Sequence, residues 1–172
     1  MTLETALVLV LDGAEPFDAI RREYATEAVA LGIPFHITLL YPFASREELT
    51  DALLDDVRAF FAAQPRFDFS LARVATWPRV VYLAPEPETQ LRACMRALFE
   101  RFPQYPPYGG VHPDVVPHAT VGEEVDAASV RADVERRIAP RLPHPCQARD
   151  VALLEESEPK RWRERERFPL GG

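Results

Sequence analysis

One short pattern, a histidine followed two positions later by a threonine, occurs twice and constrains the fold more than any other feature. It reads His36-Ile37-Thr38 in the first half of the chain and His118-Ala119-Thr120 in the second. Each copy lies in an apolar run that is typical of a β-strand, Phe35–Tyr41 and Val116–Val121. The two copies are separated by close to half of the 172 residues. A matching triplet at matching places indicates an internal duplication, so we expect a fold with an approximate two-fold axis.

The elements around the two triplets follow the same order. A strand, a helix and two strands are predicted between Phe35 and Ala84, and again between Val116 and Phe168. In the first unit the helix begins at a capping box, Ser45–Glu48. The last two strands of the second unit are predicted at about residues 147–154 and 161–168. This arrangement favours antiparallel sheets over a doubly wound parallel sheet.

We therefore predict an α+β fold built as a bilobal, pseudo-two-fold duplication, with two antiparallel β-sheets that face a central cleft and helices on the outside. Residues 1–172 form a single bilobal domain. Its lobes cover about residues 1–102 and 103–172, with strands exchanged between them. The Pro-rich segment between the lobes, Pro103–Pro117, is expected to be a loop of the kind that is functional or mobile.

Alternation along a strand places residues i and i+2 on the same face. His36 and Thr38 therefore project together, and so do His118 and Thr120. One neutral imidazole can accept a proton from an attacking water or hydroxyl, while a second, protonated imidazole gives a proton to the leaving oxygen. The threonine hydroxyls can bind the non-bridging oxygens of a phosphate. Two such pairs across a cleft supply what the cleavage of a phosphodiester needs without a metal.

Charge and composition limit the partners. The chain carries 27 acidic and 20 basic residues, a formal net charge of −7. Because non-specific affinity for nucleic acid comes mainly from cations that neutralise phosphates, we expect no long nucleic acid but a nucleotide or an RNA terminus, held locally. Cys94 and Cys146 lack the spacing of a metal site or a disulfide framework. The apolar start, Ala6–Leu11, is too short for a signal peptide or a membrane span. We expect a cytoplasmic monomer without cofactor, metal or membrane contact.

At the two triplets and two other places the chain resembles the two-histidine phosphoesterase superfamily, with its 2′-5′ RNA ligase-like and cyclic phosphodiesterase branches. The matching text is PFHITLLYPF at 34–43, PPYGG at 106–110, VVPHATVG at 115–122 and RFPLG at 167–171. The resemblance covers nearly the whole chain. It implies a bilobal fold around a cleft, with catalytic histidines at His36 and His118 and phosphate-binding threonines at Thr38 and Thr120. Ala119 stands where the family often has a larger apolar residue, which affects packing rather than chemistry.

The resemblance leaves the activity open. The leading hypothesis is hydrolysis of a 2′,3′-cyclic phosphate or a related phosphodiester of a nucleotide or RNA end. The alternatives are 2′-5′ nucleotidyl joining, which uses the same residues in reverse, and a non-catalytic protein that binds nucleotides or RNA ends. For hydrolysis we weakly favour His118 as the residue that activates water and His36 as the residue that protonates the leaving oxygen.

Three further residues are candidates for substrate contacts. Tyr41 lies at the end of the first triplet's strand, where Pro42 bends the chain, and the alternative for it is packing in the core or at the rim. Tyr108 lies in the Pro-rich loop, as does Tyr105, and either can stack on a base or serve only to anchor the loop. Arg163 belongs to an alternating stretch, Lys160–Phe168, that would place four arginines on one face of a strand, either to attract phosphate or to protect a sheet edge. A weaker alternative is a metal site at His112 and His118, whose spacing matches no standard zinc signature.

Overall fold

The structure is a computed structural model that describes residues 2–112 and 114–172. Within these residues the α-helices are α1 (Glu15–Tyr24), α2 (Thr26–Ala30), α3 (Asp51–Ala62), α4 (Thr89–Arg101) and α5 (Ala127–Ile138). The strands are β1 (Thr5–Val10), β2 (His36–Leu40), β3 (Phe67–Trp77), β4 (Val80–Glu86), β5 (Ala119–Glu123), β6 (His144–Ala148), β7 (Asp150–Glu158) and β8 (Arg161–Pro169). Short 3₁₀ turns occupy Arg46–Glu48, Pro107–Gly110 and Ala139–Arg141.

The eight strands form one curled antiparallel sheet, in the order β6-β3-β4-β5-β2-β1-β7-β8. The two four-stranded halves meet only where β2 pairs with β5, and the register there joins Ile37 to Ala119. The α+β class with antiparallel sheets is therefore confirmed. The two sheets that the sequence predicts are the two halves of this one sheet, joined through the strands that carry the His-x-Thr triplets.

The chain order of the strands does not follow the two halves of the sheet. Strands β1 and β2 form one half of the sheet with the C-terminal strands β7 and β8, while β3 and β4 form the other half with β5 and β6. Two helices also pack on the half of the sheet that does not contain the preceding strand. Helix α1 follows β1 but packs on β5, and α4 follows β4 but packs on β2. The division into lobes of residues 1–102 and 103–172 stays a prediction. Each half of the sheet contains strands from both predicted lobes. Neither lobe alone would therefore supply a complete half of the sheet.

The two faces of the sheet differ in the size of their side chains. On the convex face, large residues such as Leu7 and Leu9 are buried with the helices in the main core. Each fully buried Leu contributes about 1.5–3 kcal/mol by the removal of apolar surface from water. On the concave face the same strand presents Ala6 and Val8, which belong to a separate small cluster. Small residues on this face leave room for a cavity above the triplets.

Three predicted elements differ from the observed ones. The near-helical spacing of Phe17, Ile20, Tyr24 and Leu31 predicts one helix, which is divided at Ala25 into α1 and α2. The capping box at Ser45 and Glu48 is present, but it caps a 3₁₀ turn, and α3 begins later, with Thr50 as its N-cap. The strand predicted at about residues 147–154 is two strands, because the chain changes partner at Arg149, from β3 to β1. No helix of the part described here is long and apolar enough to cross a bilayer.

The C-terminal turn depends on the absence of a side chain at Gly171. Its amide donates to the carbonyl of Gln64 (2.8 Å), and its carbonyl accepts from the amide of Arg66 (3.1 Å). A Cβ at this position would overlap the carbonyl oxygen of Ala62, whereas a Cβ at Gly172 meets no atom within 4 Å. This contrast provides a matched pair of variants.

We predict that Gly171→Ala lowers the free energy of unfolding by about 1–3 kcal/mol, because the backbone of Ala62 must move to admit the methyl group. Gly172→Ala is expected to change it by less than about 0.5 kcal/mol. Urea denaturation of both variants and wild type measures the difference. Equal midpoints for Gly171→Ala and wild type would contradict the packing described for this turn.

Candidate active site

The junction between the two halves of the sheet brings the two triplets together. Because β2 and β5 are antiparallel and Ile37 pairs with Ala119, the flanking residues oppose each other: His36 with Thr120, and Thr38 with His118. Directly opposed residues on one face have Cβ atoms about 4.5–5.5 Å apart. Both central residues are fully buried on the convex side, and the four polar side chains are half-buried on the concave side. The structure thus brings together all four residues predicted for the site.

Both imidazoles are held by the same local hydrogen bond. Nδ1 of His36 lies 2.7 Å from the carbonyl oxygen of Pro34, and Nδ1 of His118 lies 2.8 Å from that of Val116. A carbonyl only accepts, so in each ring Nδ1 carries the hydrogen and Nε2 is the nitrogen left for chemistry. Nε2 of His36 lies 3.1 Å from the hydroxyl oxygen of Thr38. The two rings therefore share one tautomer and one orientation relative to their strands.

Burial makes both imidazoles harder to protonate. It lowers the pKa of His36 to about 4, and although the hydrogen bond to Pro34 opposes this shift, the charges of Arg21 and His118 add to it. Burial also lowers the pKa of His118 below its ordinary value, and the hydrogen bond to Val116 opposes that shift. In the absence of a ligand, both rings are neutral at pH 7. An anion placed between them would favour the protonated form of either ring.

A one-residue bulge follows each triplet and adds one more side chain to the cavity. In β2 the register shifts by one residue after Thr38, and in β5 it shifts by one residue after Thr120. Each bulge reverses the alternation that follows it. Tyr41 and Glu123, each three positions after its threonine, therefore line the cavity. The predicted position of Tyr41 in the cleft thus results from this bulge, in addition to the bend expected at Pro42.

The inner part of the cleft is a cavity of about 300 Å³ that is lined by all four histidine and threonine side chains of the triplets. Small apolar residues of β1 and of the α2 region form much of its wall, and Trp162 contributes an aromatic ring. Its lining is Ala6, Val8, Arg21, Ala25, Ala28, Ile33, Pro34, His36, Thr38, Tyr41, His118, Thr120, Glu123, Leu154 and Trp162. A mostly apolar cavity with a few convergent polar groups is the usual form of a small-ligand site.

A second, outer chamber of about 440 Å³ shares His118 with the first. Trp77, Tyr108 and His112 give it an aromatic character. The ring of Trp77 lies 4.8 Å from that of His118, and the rings of Tyr108 and His112 are 5.7 Å apart. Trp77 is 37% exposed, so part of its side chain is accessible from solvent. Aromatic faces of this kind stack on nucleobases.

Tyr108 is held at the boundary between the two chambers. Its backbone adopts the left-handed conformation, φ 50°, which non-glycine residues rarely adopt. Its amide donates to the carbonyl of Tyr41 (2.6 Å), and the two rings are 6.2 Å apart. Burial raises the pKa of Tyr108, and a side-chain hydrogen bond with Thr38 opposes the shift. The predicted loop residue thus contacts the triplet of β2.

Arg163 lies away from both chambers. Its guanidinium pairs with the buried carboxylate of Glu155 (2.9 Å), which also binds Arg165 (3.0 Å). The prediction that four arginines share one face of β8 is wrong. Strand β8 has one extra residue, Arg165, opposite the step from Leu153 to Leu154 in β7. Arg163 is therefore paired with Glu155 and Arg167 with Ala152, and these two partners lie on opposite faces of β7.

Several cavity residues were absent from the sequence prediction. By simple alternation from Thr120, Glu123 would face away from the cleft, and only the bulge in β5 brings it to the cleft side. Arg21 comes from α1, and Trp77 and Trp162 come from strand ends far away in sequence. The one signal available in the sequence was the spacing of Glu123 from Thr120, which equals that of Tyr41 from Thr38. Tyr105, an alternative candidate for stacking, packs instead against Phe43, with ring centroids 4.9 Å apart.

The outer chamber also contains side chains of the types that bind metals. His112, Asp114 and His118 all line this chamber. Across residues 2–112 and 114–172, however, no three or more His, Cys, Asp or Glu side chains are arranged so that they could hold a metal ion. The weak metal hypothesis for His112 and His118 therefore receives no support from the geometry of these donors.

The fold of this chain is shared with several solved structures. Escherichia coli LigT complexed with 3′-AMP is 16% identical, with a TM-score of 0.62 over 100% of both chains. A protein described only as a phosphoesterase is 19% identical, with a TM-score of 0.64 and the same coverage. The Thermus thermophilus protein TT0787 is 22% identical, with a TM-score of 0.59 over 100% of this chain and 99% of that one. At these identities the likeness shows the fold alone.

The sequence itself matches a family. No curated protein matches the chain. A family model described as the 2′-5′ RNA ligase superfamily matches residues 10–160, a range that includes both His-x-Thr triplets and most of the sheet. This protein therefore belongs to the 2′-5′ RNA ligase superfamily of two-histidine phosphoesterases.

Proposed function

We propose that this protein hydrolyses a 2′,3′-cyclic phosphate, or a related phosphodiester, at the end of an RNA or on a nucleotide, by paired-histidine acid-base catalysis without a metal. The observation that carries the proposal is the matched geometry of the two imidazoles. Each presents Nε2 to one cavity, because each Nδ1 is held by the carbonyl two residues earlier. Each is opposed across the junction by a threonine of the other strand.

The two chambers support a nucleotide as the ligand. A phosphate between the triplets would leave the outer chamber, with Trp77 and Tyr108, for a base or for the adjoining nucleotide. The relative LigT has been crystallised with 3′-AMP, with NADP⁺ and with ATP, all of which are nucleotides. Together the chambers amount to a few hundred Å³, which suits a nucleotide or an RNA terminus rather than a long duplex.

The reaction needs one neutral and one protonated Nε2. Water attacks the phosphorus while the neutral Nε2 takes one of its protons. The bond from phosphorus to the ribose 2′ or 3′ oxygen breaks, and that oxygen takes a proton from the protonated Nε2. One water is consumed, and one P–O bond replaces another. At the end the base carries one proton more and the acid one proton fewer. Thr38 and Thr120 can donate to the non-bridging oxygens, where negative charge develops.

The charges around the rings favour His118 as the acid in hydrolysis. The positive charge of Arg21 lowers the pKa of His36, whereas no such charge acts on His118. His118 is therefore the ring that more readily carries the proton, and His36 is the ring that stays neutral and can accept a proton from water. This assignment is the reverse of the one weakly favoured from the sequence. The order in which the two rings are protonated during a titration checks it.

Two alternatives use the same site. In 2′-5′ joining, the acid and base exchange roles, since ligation is the reverse of cleavage. A non-catalytic binding protein would retain the cavity but would have no use for two imidazoles presented through the same nitrogen. We place the protein in the cytoplasm as a monomer, a location that suits its two free cysteines.

We predict that the protein cleaves nucleoside 2′,3′-cyclic monophosphates in the presence of EDTA. His36→Ala and His118→Ala are each expected to lower kcat/KM by a factor on the order of 100 or more, because each removes one proton-transfer group. Chromatographic separation of the nucleoside 2′- and 3′-monophosphates measures the rate and shows which P–O bond breaks.

His144→Gln serves as the matched control, because His144 packs against Phe17 and lies outside both chambers. Its rate is expected to equal that of wild type. Binding of all four cyclic nucleotides without turnover would favour the binding protein, and joining of RNA ends without hydrolysis would favour the ligase. Activity that EDTA abolishes and a divalent ion restores would contradict the metal-independent mechanism.

The pH dependence follows from the directions of the two shifts. A bell-shaped profile of kcat/KM reflects the acid and the base of the free enzyme. Because both pKa values lie below 6.5, with that of His36 at about 4, the maximum is expected below pH 6.5. Above it, activity is expected to fall by about tenfold per pH unit as the acid loses its proton. A maximum at pH 7.5 or above would contradict the electrostatics of this cavity.

Acid unfolding must be separated from the acidic limb of this profile. The unfolded chain binds a proton at His36 near pH 6.5, whereas the folded chain does so near pH 4. Stability is therefore complete above pH 6.5 and decreases as the pH falls from about 6.5 to about 4. Circular dichroism at each pH distinguishes loss of fold from loss of the neutral base.

A further inference from the structure

Arg21 has a buried donor that no protein group satisfies. The residue lies in the last turn of α1, and it is only 7% exposed. One terminal nitrogen, Nη2, donates to the carbonyl of Ile33 at 2.8 Å. Its Nε has no hydrogen-bond partner, and it is the one buried side-chain nitrogen or oxygen in the described residues for which this holds. Such groups are rare and costly in folded proteins, so this one needs an explanation.

The position of Arg21 supplies an explanation for its unpaired Nε. Its side chain lines the inner cavity together with His36 and Thr120. No other Lys or Arg of the described chain lines either chamber. With both imidazoles neutral at pH 7, Arg21 is the one fixed positive charge that the described residues offer to an anion in this cleft. It is also a buried cation without a salt bridge, which costs stability unless a ligand compensates it.

Glu123 also lines the inner cavity, and its carboxylate opposes the positive charge of Arg21. Burial raises its pKa, the negative charge of Glu27 adds to the shift, and the charge of Arg21 acts against it. Within the described residues, Arg21 and Glu123 do not approach closely enough to form an ion pair, although each acts on the pKa of the other. The carboxylate therefore limits how much negative charge the cavity accepts, without occupying the guanidinium.

We propose that Arg21 binds a non-bridging oxygen of the substrate phosphate through Nε, and that Glu123 makes the site selective for a singly charged phosphodiester over the doubly charged monoester. This inference rests on the proposed function and deepens it. Hydrolysis of a diester gives a monoester whose second proton leaves with a pKa of about 6. At pH 7 the product therefore carries more negative charge than the substrate, and Glu123 repels it.

The role of Arg21 is tested by equilibrium binding, which needs no turnover. Isothermal titration with inorganic phosphate and with adenosine 2′-monophosphate compares wild type, Arg21→Gln and Arg22→Gln. Arg22 is the matched control, since it follows Arg21 on α1 but is exposed. Arg21→Gln is expected to weaken both ligands by about tenfold or more, and Arg22→Gln by less than about twofold. Equal affinities for Arg21→Gln and wild type would overturn the inference.

Thermal unfolding separates binding from a structural role. Because Arg21 is a buried cation without a salt bridge, Arg21→Gln is expected to keep or raise the Tm in the absence of ligand, and phosphate is expected to raise the Tm of wild type more than that of the variant. If Arg21→Gln does not fold, Arg21→Lys keeps a cation without Nε. An Arg21→Lys protein with the phosphate affinity of wild type would overturn the role of Nε.

Glu123→Gln and its exposed neighbour variant Glu124→Gln test the selectivity. The expected result is that Glu123→Gln tightens inhibition by adenosine 2′-monophosphate by about tenfold, with a much smaller change in KM for the cyclic nucleotide. Equal effects on both ligands, or an effect equal to that of Glu124→Gln, would overturn the selectivity. Wild type that binds phosphate through Arg21 but cleaves no cyclic nucleotide would sink the proposed function while leaving this anion site intact.

Discussion

The pairing of Ile37 with Ala119 is the contact on which the architecture of the site depends. It is the one register pair that joins the two four-stranded halves into a continuous sheet within the described residues. Because both residues are fully buried toward the helices, their neighbours must face the concave side. The antiparallel register then sets each histidine opposite a threonine of the other strand. A shift of one residue in either strand would turn the histidine and the threonine of that strand into the core.

Part of this arrangement was accessible from sequence. The alternation of polar and apolar residues in the two triplets predicts their shared face, and the repeated order of elements predicts an antiparallel α+β fold. The bulges after Thr38 and Thr120 and the bulge at Arg165 could not be predicted, because a bulge depends on the partner strand. Each one reverses the alternation that follows. For this reason Glu123 was missed as a cavity residue, and the arginines of β8 were wrongly assigned to one face.

The same cavity explains why its electrostatics are unusual for a site that accepts phosphate. Small residues such as Ala6 on the concave face make room for a ligand, while the burial of the imidazoles in the same cleft keeps them neutral. A neutral pair suits acid-base chemistry only if an anion restores one proton as it binds. Arg21 is suited to attract that anion, since it remains charged whatever the state of the histidines. Burial thus couples substrate binding to the protonation that the reaction requires.

At neutral pH, both imidazoles are expected to be neutral and of the same tautomer, and one of them is expected to take up a proton when a phosphate binds. Nitrogen-15 NMR of the histidine rings tests it directly, with His112→Gln and His144→Gln variants to assign the signals. We expect Nδ1–H tautomers in both rings at neutral pH, protonation of His118 before His36 as the pH falls, and uptake of a proton when inorganic phosphate is added. An Nε2–H tautomer in either ring, or a His36 that is protonated at pH 6.5 without ligand, would contradict the account.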